Sequence, residues 1–98
     1  MAFTIRQLQF FVAVAEAGTV SHAAQALSIS QSSVTEAIKE LEADLNVKLF
    51  ERHPRGLSIT HKGHQLLRHA TRILSDISDA RRSFSEQASN RGGRLQLG

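Results

Sequence analysis

The sequence predicts a mostly α fold: three short helices, a two-stranded hairpin and then one long helix. Three observations carry that expectation. Apolar residues recur at three- and four-residue spacing in three stretches before residue 46; a short alternating pattern then flanks "HPRG"; and helical spacing returns from Thr60, without proline, to about Ser89. A chain of 98 residues, 41% of them hydrophobic and 21% charged, fits one small domain with a modest core and an appended segment.

In the first stretch Ile5, Leu8, Phe11, Val12 and Ala15 form one apolar stripe, so a helix is expected from Ile5 to Ala17 with Gly18 as its stop. Phe10 and Val14 widen the stripe, as in a helix pressed by neighbours on more than one side. Thr19 or Ser21 can cap a second, short helix carrying Ala23, Ala24, Ala26 and Leu27, whose small side chains admit a close neighbour. Ser30 is placed to cap the third, which turns Val34, Ile38, Leu41 and Leu45 inward and ends at Asn46, a residue that tolerates the left-handed conformation. Two helices joined by a corner of about four residues make a helix-turn-helix unit.

The third helix is unusual in what it leaves outside. Its start offers solvent Gln31, Ser32, Ser33, Thr35, Glu36 and Lys39, mostly short side chains that donate and accept hydrogen bonds. A helix entering the major groove of double-stranded DNA reads base edges with its N-terminal residues and needs such groups there. Ser and Thr favour helix starts for local reasons too, but that explains Ser30 and Ser32 better than Gln31 and Thr35. Glu36 is the exception: phosphates repel a carboxylate unless it accepts from a cytosine amino group, and its ordinary role would be an i,i+3 partner for Lys39.

"KLFER" and "LSIT" around "HPRG" read as a hairpin with Arg55 at its tip, which after a helix-turn-helix is a wing. Arg52 and Arg55 are then candidates for phosphate or minor-groove contact, with Ser21, Ser30 and Thr60 as further candidates for the backbone. The charge agrees. The formal net charge is +3, but between Lys48 and Arg72 there are six Lys or Arg against one acid, Glu51, a local excess that favours a polyanion.

In the long helix Leu66, Ala70, Ile73, Ile77, Ala80 and Phe84 step by four and three, a heptad seam that Leu67 and Leu74 widen toward the domain. A three-helix core cannot cover its whole length, and the economical partner for the outer half is the same helix of a second chain, giving a homodimer. The expected organisation is a DNA-binding domain over 1–60, a linker and dimerisation helix over 61–90, and in 91–98, where "RLQLG" alternates after a Gly pair, the start of a further domain.

Taken together, "AQALSISQSSVTEAIKELEADLNVKLFER", the wing, "LSITHKGHQLL" and the long helix resemble the N-terminal DNA-binding domain of LysR-type transcriptional regulators over nearly the whole chain. The resemblance implies a winged helix-turn-helix that dimerises through antiparallel linker helices and binds an imperfect inverted repeat in a promoter. It implies base or backbone roles for Gln31, Ser32, Thr35, Glu36 and Arg55. It also implies full-length tetramers and a small-molecule inducer bound by a separate C-terminal domain, of which "GGRLQLG" resembles the first strand. The family commonly has Pro where Ser32 stands, Gly at Asn46, and Arg, Lys or Gln at Glu36, so an altered base preference is expected at Glu36.

Other functions fit less well. His22, His53, His61, His64 and His69 lack a nucleophile setting, and no glycine-rich phosphate loop occurs, so no enzyme is expected. His61 and His64, with His53, make a weak metal pattern without an acidic or thiolate third ligand, and neither metal nor cofactor is expected. A protein-binding coiled coil alone leaves Gln31 to Lys39 unexplained. The absence of Cys suits a reducing, cytoplasmic setting. "MAFTIRQLQFFVAVAEAG", interrupted by Gln7, Gln9 and Glu16, reads as neither signal peptide nor membrane span.

Overall fold

A computed structural model describes residues 3–93, with side chains described through residue 85. The described order is α1 (Ile5–Ala17), α2 (Val20–Leu27), α3 (Gln31–Leu45), β1 (Phe50–His53), β2 (Gly56–Ile59) and α4 (His61–Gly93). This is the expected mostly α, winged arrangement. The one difference in extent among the described residues is that α4 runs through Gly93 and so includes the Gly pair; the strand expected in "RLQLG" falls in 94–98, outside the described residues.

Each short helix begins and ends where its local chemistry dictates. At the start of α1 the Thr4 hydroxyl accepts from the Gln7 N–H at 3.1 Å, and the Gln7 side chain accepts from the Thr4 N–H at 3.0 Å, a reciprocal capping box. Gly18 closes α1 at φ +85°, donating its N–H to the Val14 carbonyl at 2.8 Å. Thr19, and not Ser21, caps α2, accepting from the His22 N–H at 3.1 Å. Ser28 then ends α2 in the left-handed region at φ 59°, as Asn46 ends α3 at φ 56°.

The core draws on every helix. Leu8, Phe11 and Val14 of α1 meet Ala23 and Ala24 of α2, Val34, Ile38 and Leu41 of α3, Leu49 and Phe50, and Ala70 of α4. Phe11 and Phe50 pack as tilted rings with centroids 5.4 Å apart. Two expectations need correction. Ala26 faces solvent, so only Ala23 and Ala24 provide the close approach, and Ile5, at the open end of α1, is 42% exposed.

The wing is an antiparallel pair in the register Phe50↔Ile59, Glu51↔Ser58, Arg52↔Leu57 and His53↔Gly56, which leaves Pro54 and Arg55 as a two-residue tip. Pro54 presets the first turn position, and Gly56 supplies the φ of +138° that lets the strands close. A Cβ at Gly56 would lie 3.2 Å from the Gly18 carbonyl oxygen, which also accepts from the Leu57 N–H at 3.4 Å. The wing is thereby seated on the α1–α2 turn.

Two further contacts fix α3 against its surroundings. Glu42 turns one carboxylate oxygen to the N–H groups of Leu49 at 2.8 Å and Phe50 at 3.4 Å, tying the end of α3 to β1. Gln7 donates to Glu40 at 3.1 Å and joins α1 to α3.

At the start of α4 the Thr60 hydroxyl accepts from the Gly63 N–H at 2.9 Å and donates to the Lys48 carbonyl at 2.6 Å. Gly63 lets the helix approach so closely that a Cβ there would sit 2.4 Å from the Leu49 carbonyl oxygen.

The seam along α4 divides differently from the expectation. Ala70 is 0% exposed within its own domain, and Leu66 and Ile73 pack against the same core, so Ala70 is withdrawn from the expected dimer contacts. The physical reason is that the domain's own core, with α1 packed against α4, already takes up that face of the inner half of α4. Farther out Ile77 is half-buried, Ala80 is exposed and Phe84 is 72% exposed, and none of the three belongs to the core cluster.

Candidate nucleic-acid interface

The serine cap decides how α3 is presented. The Ser30 hydroxyl accepts from the Ser33 N–H at 3.2 Å, donates to the Ser33 hydroxyl at 2.9 Å and lies 3.2 Å from the Ser32 hydroxyl. With the helix pinned there, a period of 3.6 residues turns Val34, Ala37, Ile38 and Leu41 into the core. Ser32, Glu36 and Lys39 then run along the outward face, each exposed.

The flanks of that face meet different neighbours. Gln31 shares a hollow of about 270 Å³ with Thr19 and Ser21 at the start of α2 and with Arg52 and His53 of the wing. Thr35, half-buried, and Lys39 line a second hollow of about 130 Å³ with Lys48 and Arg52 over a floor of Val20, Ile38, Phe50 and Leu57. On the other flank Ser33 and Glu36 line a trough against Thr4, Arg6, Gln7 and Phe10 of α1. The structure therefore brings Ser21, Gln31, Thr35, Lys39 and Arg52 around adjoining hollows, while Ser33 and Glu36 sit toward α1.

Arg55 is exposed at the wing tip, with no hydrogen-bond or ion-pair partner among the described residues. Two candidates have intramolecular work. The Ser30 hydroxyl serves the cap, and the Thr60 hydroxyl both caps α4 and holds the Lys48 carbonyl, so these oxygens have little left to offer a phosphate.

Sequence reasoning missed one contributor. In the sequence Lys48 is only the start of a basic stretch, yet it completes a cationic rim with Lys39 and Arg52, and Glu42, the one acid there, has an oxygen committed to backbone N–H groups. The hairpin reading is enough to put Lys48 next to Arg52, but not to show that both share a hollow with Thr35 and Lys39 of α3. Among the described residues the one ion pair is Arg82 with Asp79 at 3.4 Å on exposed α4, so Glu36 and Lys39 do not take up the i,i+3 pairing that stood as the alternative to base contact. His53 is hydrogen-bonded to Ser58 across the wing, and no group of three His, Asp or Glu among the described residues is arranged to hold a metal ion.

Comparison with known proteins decides the family. The model for the bacterial regulatory helix-turn-helix proteins of the lysR family matches residues 5–64, from the first turn of α1 through the wing into α4. The chain belongs to the lysR family. A relative from Bacillus cereus, the HTH-type transcriptional regulator CzcR, is 40% identical over 88 residues, 90% of this chain and 31% of its own length. The chain thus spans about a third of the length of the curated relatives it matches. Among solved structures, the CbnR DBD–DNA complex shares 43% identity at a TM-score of 0.77, covering 88% of this chain and 98% of that one. The BenM DBD complex with catB site 1 DNA shares 32% identity at a TM-score of 0.84, covering 88% and 97%. Among the described residues no helix is long and apolar enough to cross a membrane.

Proposed function

We propose that this chain is a dimeric reader of double-stranded DNA, the DNA-binding module of a LysR-type transcriptional regulator. The outward face of α3 enters the major groove, the wing lies at phosphates or in the minor groove beside it, and the outer half of α4 joins two copies. The observation that carries the reading is the meeting of Gln31 and Thr35 with Ser21, Lys39, Lys48 and Arg52 around adjoining hollows beside a wing tip whose arginine has no internal partner among the described residues. That arrangement supports base reading by the donor–acceptor side chains and phosphate contact by the positive charge that flanks them. The solved complexes of CbnR and BenM domains with DNA support the same use of this fold.

Within this reading Gln31, Ser32, Thr35 and Lys39 face bases, and Gln31 can pair with adenine in a bidentate manner, its amide NH2 donating to N7 and its amide oxygen accepting from the N6 amino group. Arg52, Arg55, Lys48 and Ser21 hold the backbone. No residue is assigned a catalytic role and no cofactor is needed. A regulator of this kind works in the compartment that holds the chromosome, and a two-fold dimer reads an inverted repeat with half-sites about one helical turn apart.

Two substitutions separate the roles. Arg55→Ala should weaken binding to every duplex and lower the log–log salt slope by about 0.9, the value of one neutralised phosphate. Titration by fluorescence anisotropy at several salt concentrations measures this; an unchanged slope removes Arg55 from the phosphate role. Gln31→Ala should cost about 1–3 kcal/mol on the preferred site and relax one position of it. Equal losses on preferred and scrambled duplexes would contradict base reading by Gln31.

A further inference from the structure

Helix α3 carries three glutamates, and the structure uses only two of them. Glu40 accepts from Gln7, and Glu42 accepts from the N–H groups of Leu49 and Phe50. Glu36 is exposed and has neither a hydrogen-bond nor an ion-pair partner among the described residues, although Lys39 lies one turn away on the same helix. The other charged groups lining its trough are Arg6 and Glu40. Arg6 lies over the Phe10 ring at 5.3 Å from its centroid and forms no ion pair with Glu36. A carboxylate without a partner among the described residues therefore stands on the α1 side of the outward face of α3, next to Ser32 and Lys39 and one turn before Glu40, which Gln7 engages.

Resting on the DNA-binding reading above, we infer that Glu36 is a specificity-determining residue that selects cytosine at one position of each half-site by accepting a hydrogen bond from its exocyclic amino group. The chemistry leaves few alternatives. An ionised carboxylate only accepts, and in the major groove only the amino groups of cytosine and adenine donate. Adenine sets its N7 acceptor beside that amino group, thymine offers an acceptor and a methyl group, and guanine offers two acceptors. Each of those would leave a carboxylate oxygen facing a lone pair or a methyl group in a largely dehydrated groove. Ser32 and Lys39 share this face, but a hydroxyl accommodates several bases and an ammonium group favours acceptors, so neither supplies the preference for cytosine.

The test compares the 98-residue chain with its Glu36→Gln variant, which keeps shape and removes charge. Sites are selected from random duplexes by each protein, and affinities are then measured on the selected duplexes. The wild type should return cytosine at one position per half-site. Glu36→Gln should lower the preference for cytosine there by about 5- to 150-fold and move it toward adenine, which glutamine pairs through its amide NH2 and its amide oxygen together. Thermal unfolding of both proteins shows that each is folded. If both select the same base at every position of the same inverted repeat, the inference about Glu36 is overturned while the DNA-binding reading stands. If neither enriches a duplex nor binds DNA in a salt-dependent way, the DNA-binding reading fails and takes the inference with it.

Discussion

Ile77→Asp should convert a dimer into monomers in sedimentation. Ile77 lies half-buried on the outer half of α4, beyond the core cluster and between the turns that carry Ile73 and Ala80. In a two-fold pairing of α4 helices one substitution enters the interface twice. Each carboxylate taken from water without a partner costs several kcal/mol, and each 1.4 kcal/mol is tenfold in affinity, so the dimer should weaken by about a thousandfold or more. Because Ile77 does not contribute to the domain core, the monomer should keep its helical circular dichroism. A dimer that persists would place the interface elsewhere, with Phe3 and Ile5 at the exposed end of α1 as the next apolar surface to examine.

Phe11→Ala should cost the domain about 3–5 kcal/mol. Its ring is 0% exposed and meets Phe50, so truncation removes the contact between α1 and the start of the wing and leaves a cavity that surrounding backbone cannot readily fill. Small domains have about 5–15 kcal/mol in total, so the variant should be close to unfolding at about 37 °C and should lose DNA affinity with its fold. Urea unfolding followed by circular dichroism measures the loss. Phe84→Ala is the internal contrast: an aromatic of the same type, 72% exposed, should change the monomer's stability little. Equal losses for the two would mean that the core does not sit where Phe11 and Phe50 meet.

The local elements are readable because their signals are local. Gly18, Ser30 and Asn46 each satisfy free backbone groups within a few residues, and the bounds of α1 and α3 follow directly from them. The wing is readable because strand alternation and a Pro-Arg tip lie within one short stretch. What the sequence does not show is which neighbour reaches a given surface first. Ala70 fits a heptad seam by spacing, yet the domain's own core buries it, and spacing alone does not distinguish one's own chain from a second copy.

The site shows the same division. Gln31, Thr35 and Lys39 are legible from helical period once the apolar positions are turned inward. Lys48 does not stand out in the sequence, because its place opposite Lys39 depends on Glu42 closing the α3–β1 connection, a contact between a side chain and distant backbone N–H groups. Thr60 misleads in the opposite sense: a polar residue next to the wing looks available, but its hydroxyl is held on both sides by Gly63 and Lys48. Polar side chains that work as caps and those that face a ligand are of the same types, and only their hydrogen-bond partners distinguish them.

The most direct measurement is selection of binding sites by the 98-residue chain from a pool of random duplexes, followed by sequencing of the survivors. Two-fold reading by α3 predicts enrichment of an inverted repeat with half-site centres about one helical turn apart. Survivors with no shared sequence, retained to the same extent as random duplex, would contradict base reading by the outward face of α3.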